Sequence, residues 1–76
     1  MDIRGQKPDE VEYTIVKFMD EAYFSGQQKV EILHGKGAGV LRKLVSELLK
    51  NNENVKEFYP ALIEQGGDGV TIAELK

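Results

Sequence analysis

The sequence contains no cysteine and no tryptophan, and its single histidine is His34. Without cysteine the chain has neither disulfide bonds nor thiolate metal sites, which is typical of proteins from a reducing compartment. It also lacks an apolar run of about 18 residues, so no membrane-spanning helix is predicted. No basic segment leads into an apolar one in the manner of a signal peptide. We therefore expect a cytoplasmic protein with no membrane partner.

The chain also lacks an excess of positive charge. The 10 lysines and arginines face 13 aspartates and glutamates, and the formal net charge is -3. Isolated nucleic-acid-binding domains are usually basic, so any contact with nucleic acid must come from a local patch. The candidates for such a patch are Arg4, Lys36, Arg42 and Lys43. A length of 76 residues predicts a single domain, 1–76, near the lower limit for independent folding.

Apolar residues recur at helical spacing in two segments. Pro8 suits the first position of a helix because no backbone donor is needed there. The apolar period that follows predicts a helix over Pro8–Ser25, which Gly26 ends. A second, broader apolar stripe predicts a helix from about Gly39 to Asn51.

Four short segments have the apolar and β-branched content of strands, namely 2–4, 29–34, 55–59 and 70–75. The resulting order, β-α-β-α-β-β, predicts parallel strands joined by right-handed helical crossovers. The last two strands are close enough in sequence for an antiparallel hairpin. We therefore predict an α/β (α+β) two-layer sandwich, with a four-stranded mixed sheet and both helices packed on one face.

The segment His34-Gly35-Lys36-Gly37-Ala38-Gly39 joins a predicted strand to a predicted helix. Ligands of parallel α/β units gather at the carboxyl ends of strands, and the first turn of a helix presents unpaired N–H groups to anions. Glycines allow the backbone to approach such an anion closely. We predict a phosphate-binding site that includes the backbone N–H groups of Gly37 to Gly39 and is formed by Gly35, Lys36, Gly37, Gly39 and Arg42.

The spacing of these glycines does not match a standard nucleotide-binding motif. It lacks the P-loop pattern G-x-x-x-x-G-K-[ST] and the dinucleotide pattern G-x-G-x-x-G. The segment could therefore be a tight strand-to-helix turn without a ligand. A single histidine is also more often without a catalytic role than with one, so both alternatives stay open.

Asp2 and Arg4 are two residues apart on a predicted strand and so share one face of it. If this strand is the parallel neighbour of the next, Arg4 and His34 lie on the same rim of the sheet. We then predict that Arg4 clamps a phosphate and that His34 serves as general acid or base. Asp2 would orient His34 or hold a metal-bound water. One carboxylate beside one histidine is a poor metal site, so any Mg²⁺ or Mn²⁺ would be weakly bound and shared with the substrate.

Three motifs, in this order and spacing, resemble the Smr (small MutS-related) domain over essentially the whole chain. They are Asp2-Ile3-Arg4-Gly5, then His34-Gly35-Lys36-Gly37-x-Gly39, then Gly66-Gly67-x-Gly69-Val70-Thr71 with Glu74-Leu75. The resemblance is to the version at the C-terminus of the second type of bacterial MutS paralogue. The first motif of the family normally opens with an apolar residue, often leucine, and Met1 occupies that place here.

The resemblance implies a fold similar to the C-terminal domain of translation initiation factor three. It also implies a nicking endonuclease that acts on DNA, and in some members cleavage of RNA. The expected partners are DNA, including branched DNA, or RNA and the ribosome. The domain would come from the C-terminus of a longer, homodimeric, ATP-binding MutS-like protein that suppresses recombination or rescues stalled ribosomes. On its own it would be a monomer.

Two other functions stay open. The same loop could bind DNA or RNA, including ribosomal RNA, without cutting it, in which case binding would weaken with salt. A protein-interaction domain is the third alternative, through the aromatic residues Tyr13, Tyr23, Phe24 and Tyr59. Partly buried packing of these aromatics is the favoured interpretation.

Overall fold

The computed structural model describes residues 1–37 and 39–76. These residues form two helices, α1 (Pro8–Phe24) and α2 (Val40–Lys50), and three strands, β1 (Lys29–Leu33), β2 (Val55–Pro60) and β3 (Val70–Leu75). Two short 3-10 turns, Ile63–Gln65 and Gly67–Gly69, connect β2 to β3. These five elements agree with the corresponding predictions to within one residue at either end. No helix in the described residues combines the length and apolar content that crossing a bilayer requires.

The central strand of the sheet is β3, and the strand order is β1-β3-β2. Ile32 of β1 lies opposite Thr71, and Pro60 of β2 lies opposite the same residue on the other side. Both pairings are antiparallel, so β1 and β2 run in the same direction and α2 connects them past β3. The antiparallel pairing of the last two strands is as predicted.

The predicted first strand, 2–4, is reduced to a single parallel bridge between Asp2 and Leu33. The N–H of Ile3 donates to the carbonyl of Leu33 at 2.9 Å, and the N–H of Leu33 donates to the carbonyl of Met1 at 2.7 Å. A turn at Arg4 and Gly5 then ends the pairing. The prediction of a four-stranded mixed sheet is therefore not confirmed, because the described residues form three antiparallel strands. The similarity to translation initiation factor three stays a prediction.

One hydrophobic core fills the space between the helices and the sheet. Its buried members come from α1, α2, the sheet and the N-terminal segment, and they are Ile3, Val11, Ile15, Met19, Ala22, Val30, Ile32, Val45, Leu49, Val55, Ala73 and Leu75. Because both helices share this cluster with alternate residues of the strands, they lie on the same face of the sheet, as predicted.

The opposite face of the sheet carries a smaller apolar cluster. Ala61, Val70 and Ile72 are buried there, with Leu33 and Tyr59 partly buried against them. The N–H of Ala61 donates to the carbonyl of Val70 at 3.0 Å, so the connection after β2 folds back over this face. This connection leads directly into Gly69, which contacts the glycine loop described below.

Candidate functional site

The loop after β1 is bound to the start of β3 through the backbone. The carbonyl oxygen of Gly69 accepts hydrogen bonds from the N–H groups of His34, at 3.0 Å, and Gly35, at 2.9 Å. Gly69 also lies against the loop, because a Cβ there would be in van der Waals contact with Cγ of Lys36, at 3.4 Å, and with the carbonyl carbon of Gly35, at 3.5 Å. Two of the three sequence motifs therefore meet at this point.

Arg4 brings the first motif against the same loop. Gly35 has a φ of 79°, a conformation that favours glycine. A Cβ at this position would also lie 3.4 Å from both Cγ and Cδ of Arg4. The aliphatic part of the arginine side chain thus packs along the loop backbone, and a side chain at position 35 would displace it.

The Asp2 carboxylate holds the Arg4 guanidinium. Oδ1 accepts from Nε at 3.1 Å and from the backbone N–H of Arg4 at 3.0 Å, and Oδ2 accepts from Nη2 at 2.9 Å. The hydrogen bond from the Arg4 side chain, followed by the one from its backbone, lowers the pKa of Asp2 from 3.8 to about 2. A guanidinium has five N–H donors. Two of these five are used here, which leaves three for an anion.

His34 is buried, with 5% of its surface exposed. Its Nδ1 lies 2.9 Å from the carbonyl oxygen of Gly35 and its Nε2 lies 2.7 Å from Oγ1 of Thr71. A carbonyl only accepts, so these partners assign the proton of the neutral ring to Nδ1 and leave Nε2 to accept from the Thr71 hydroxyl. The predicted role of Asp2 in orienting His34 is wrong within the described residues, since Asp2 bonds to Arg4 and Thr71 takes that place.

The N-terminus of α2 opens toward the loop. Gly39 is its N-cap, and no side chain among the described residues caps the helix there. The first turn carries two cations, Arg42 and Lys43, and no acid, so its unpaired N–H groups and the helix dipole favour an anion. Nη2 of Arg42 lies 3.6 Å from the position that a Cβ on Gly39 would occupy. Arg42 therefore returns to the loop, as the sequence predicted.

A pocket of about 180 Å³ joins the loop to this helix end. It is lined by His34, Gly35, Gly37, Gly39, Val40, Leu41 and Arg42. Lys36 is exposed between two of the lining glycines. The structure thus brings together the predicted phosphate-binding residues, with Arg4 against Gly35. The predicted contribution of the N–H of Ala38 lies outside the described residues.

Ligand atoms for a metal ion are scarce at this site. Over residues 1–37 and 39–76, no group of three or more histidine, aspartate or glutamate side chains is placed to hold one. Both oxygens of Asp2, the carboxylate assigned to the site from the sequence, already accept hydrogen bonds from Arg4. Divalent ions such as Mg²⁺ need several oxygen ligands, so these residues do not fit an ion held by the protein alone.

Thr71 is the site residue that the sequence reasoning missed. Its surface is 4% exposed, and it reaches the loop only because β3 is the central strand, between β1 and β2. The available signal was its position directly after Gly69-Val70 in the third motif. Local spacing alone does not show that residues 34 and 71 meet.

Comparison with protein families matches the whole chain, residues 1–76, to the model of the Smr domain. The chain is 46% identical over 76 residues to Endonuclease MutS2 of Clostridium botulinum (strain ATCC 19397 / Type A). It is 42% identical over 76 residues to Endonuclease MutS2 of Clostridium tetani (strain Massachusetts / E88). Each alignment covers 100% of this chain and 10% of the relative. The chain thus spans about a tenth of the length of these curated relatives.

Two solved structures share the fold. The Smr domain of Thermus thermophilus MutS2 matches with a TM-score of 0.97 and 34% identity, covering 100% of this chain and 95% of that one. YdaL, a stand-alone small MutS-related protein from Escherichia coli, matches with a TM-score of 0.95 and 26% identity. The second match covers 100% of this chain and 63% of YdaL.

Proposed function

We propose a function for this chain, which belongs to the Smr domain family. It binds the sugar-phosphate backbone of DNA or RNA at the glycine loop and then nicks a phosphodiester bond there. The observation that carries the proposal is the loop of residues 34–37 and 39 at the open N-terminus of α2, with Arg4 and Arg42 against it. The endonuclease name of the relatives supports the cleavage step.

A phosphate in this loop would meet four kinds of donor. The first turn of α2 supplies backbone N–H groups, and Lys36 and Arg42 are exposed cations beside it. Arg4 adds the guanidinium N–H groups that Asp2 leaves free. Because a guanidinium matches two phosphate oxygens at once, Arg4 suits the role of clamp better than a lysine would. In this proposal Asp2 orients Arg4 and does not itself touch the substrate.

Cleavage needs a base for the attacking oxygen and positive charge around the phosphoryl group. The attacking oxygen forms a bond to phosphorus while the bond to the leaving oxygen breaks. His34 takes the proton of the attacking oxygen on Nε2, the nitrogen that its tautomer leaves basic, and water protonates the leaving oxygen. His34 must exchange its hydrogen bond to Thr71 for this contact, and catalytic hydrogen bonds often form only when the substrate binds.

A divalent ion, if the reaction uses one, would arrive bound to the substrate phosphates, because residues 1–37 and 39–76 do not form a site for it. A plasmid-nicking assay with and without Mg²⁺ or Mn²⁺ tests this part of the proposal. Activity without either ion would show that the residues of the chain suffice.

The central experiment compares cleavage and binding in the wild type and in His34→Asn on branched DNA, plain DNA and RNA. We expect His34→Asn to lose about 10²-fold or more in cleavage rate, since acid–base catalysis contributes that much, while it binds as well as the wild type. Lys56→Gln, an exposed site on β2 away from the loop, is the control. Unchanged cleavage in His34→Asn would overturn the assignment of the base.

The second candidate function is a DNA- or RNA-binding module that does not cut. The observation that favours it is that both ring nitrogens of His34 already have partners inside the protein. This function predicts binding that weakens with salt and no cleavage with either metal ion. The assay above separates the two candidates directly.

For the whole protein we propose the setting that the family implies. This is a homodimeric MutS-like ATPase of the bacterial cytoplasm that suppresses recombination or rescues stalled ribosomes. Deleting this domain from the full-length gene, then measuring recombination frequency and the fraction of stalled ribosomes, would test which process depends on it.

A further inference from the structure

His34 and Thr71 form a buried pair that connects the glycine loop to the central strand. Their surfaces are 5% and 4% exposed, and Nε2 lies 2.7 Å from Oγ1. The other ring nitrogen faces the carbonyl of Gly35 at 2.9 Å. The imidazole is therefore held at both nitrogens, by partners from two different segments of the chain.

We propose that Thr71 is a positioning residue for His34, which it holds as the tautomer with the proton on Nδ1 and Nε2 basic. The Gly35 carbonyl requires a donor on Nδ1, and the Thr71 hydroxyl supplies the donor that a bare Nε2 needs. The importance of this tautomer for cleavage rests on the proposed role of His34 as base. The placement of the proton stands on the geometry alone.

A hydroxyl is the kind of partner that suits a ring whose charge changes. It donates to Nε2 when the imidazole is neutral and accepts from Nε2–H when the imidazole is protonated. A carboxylate would favour only the protonated ring, and a methyl group would leave a buried nitrogen without a partner in either state. Thr71 thus allows His34 to gain or lose a proton in its buried position.

The backbone near Thr71 supports the same role. Gly69, two residues earlier, accepts from the N–H groups of His34 and Gly35, so the start of β3 holds the main chain of the loop while Thr71 holds the ring. One segment, 69–71, therefore holds the backbone of His34 and one of its two ring nitrogens. This segment belongs to the third sequence motif, and no other part of that motif has a proposed role in the chemistry of the site.

The test uses ¹⁵N NMR of the 76-residue chain to determine which imidazole nitrogen carries the proton. It is done at alkaline pH, where an ordinary imidazole is neutral. The signals are unambiguous because the chain has one histidine. In the wild type we expect a protonated Nδ1 and an unprotonated Nε2. A proton on Nε2 in the wild type would overturn the proposal without any variant.

Two substitutions separate the effect of the Thr71 hydroxyl from the effect of the shape of its side chain. Thr71→Val replaces the hydroxyl by a methyl group and leaves the Gly35 carbonyl as the one group among the described residues that favours a proton on Nδ1, so a fraction of the Nε2–H tautomer should become detectable, whereas Thr71→Ser should keep the wild-type signals. If circular dichroism shows that Thr71→Val does not fold, Thr71→Ala takes its place. An unchanged tautomer in the folded variant without the hydroxyl would contradict the proposal.

Cleavage and binding are then measured in the same variants over a range of pH. We expect Thr71→Val to lose about tenfold or more in cleavage rate, a part of what acid–base catalysis contributes, with a displaced pH profile and unchanged affinity. Thr71→Ser should behave as the wild type. A changed tautomer with unchanged cleavage would overturn the role in catalysis. A wild type that cuts nothing would overturn the proposed function, while the NMR result would still decide the tautomer.

Discussion

The carboxylate of Asp2 accepts two hydrogen bonds from the side chain of Arg4, at 3.1 and 2.9 Å, beside the backbone of the glycine loop. This pair is exposed, with 60% of the Arg4 side chain and 49% of the Asp2 side chain open to solvent. Its contribution to stability is therefore small. Its consequence is the orientation of the guanidinium, whose aliphatic stem lies against Gly35 of the loop.

The first prediction concerns the titration of Asp2. In Arg4→Gln the pKa of Asp2 should rise from about 2 part of the way toward 3.8, because the side-chain hydrogen bond from Arg4, the largest cause of the depression, is lost while the backbone hydrogen bond remains. Carboxyl ¹³C NMR over a pH series measures this pKa directly.

In the wild type the pKa of Asp2 is lower in the folded state than in the unfolded state. The pair thus stabilises the fold above the unfolded pKa of 3.8, and this stabilisation is lost as the pH falls toward 2. A wild-type Asp2 that titrates at its ordinary value would contradict the geometry.

The second prediction compares three glycines of the site. Gly69→Ala should change the free energy of unfolding by about 1 kcal/mol or less, because its φ is not positive and its Cβ would make van der Waals contacts with Lys36 and Gly35 without a clash. Gly35→Ala should cost about 1–2 kcal/mol from its left-handed backbone, in addition to its contact with Arg4. Urea unfolding measures both free energies.

The matched control for these substitutions is Gly37→Ala. A Cβ at this position meets nothing within 4 Å among the described residues and its φ is not positive, so the free energy of unfolding should change by about 0.5 kcal/mol or less. A loss at Gly37 as large as that at Gly35 would show that the loop tolerates no side chain for reasons other than backbone conformation.

The third prediction concerns the charges that face the proposed phosphate. Lys36→Gln and Arg42→Gln should each weaken binding to nucleic acid and flatten its salt dependence. For each phosphate that a variant no longer neutralises, the slope of log K against log salt should fall by about 0.7–0.9. Fluorescence anisotropy with a labelled oligonucleotide over a salt series gives the slope. The same charge change at Lys56 should leave the slope as in the wild type, and a flattened slope in that control would indicate binding spread over the whole surface.

The fourth prediction tests what anchors the first motif. Ile3 is 0% exposed and belongs to the main core, although its segment makes one β-bridge only among the described residues. Ile3→Ala should cost about 2–5 kcal/mol, a large share of the stability of a small domain. Val16→Ala, at a position 46% exposed on α1, also truncates a β-branched apolar side chain and should cost far less, because that side chain is not in the core. Equal losses at both positions, measured by urea unfolding, would mean that Ile3 does not anchor the segment.

The sequence by itself determined the helices, three of the strands and the loop that joins β1 to α2. These features follow from local causes, since the apolar period of Val11, Ile15 and Met19 selects a helix face and the glycines mark where elements end. The basic residues near the loop were also visible in the sequence. Arg42 lies one turn after Gly39 in any helix that starts there, so its return to the loop required no knowledge of the tertiary structure.

Only the tertiary structure decided which partners the site residues have. The alternation of a strand shows which face a residue occupies, but not which strand lies beside it. Because β3 is inserted between β1 and β2, Thr71 meets His34. The early turn at Gly5 ends the first segment after one bridge, and Asp2 pairs with Arg4 instead of reaching the histidine. Contacts between residues as distant as 34 and 71 depend on strand order, a property of the whole chain that no local pattern carries.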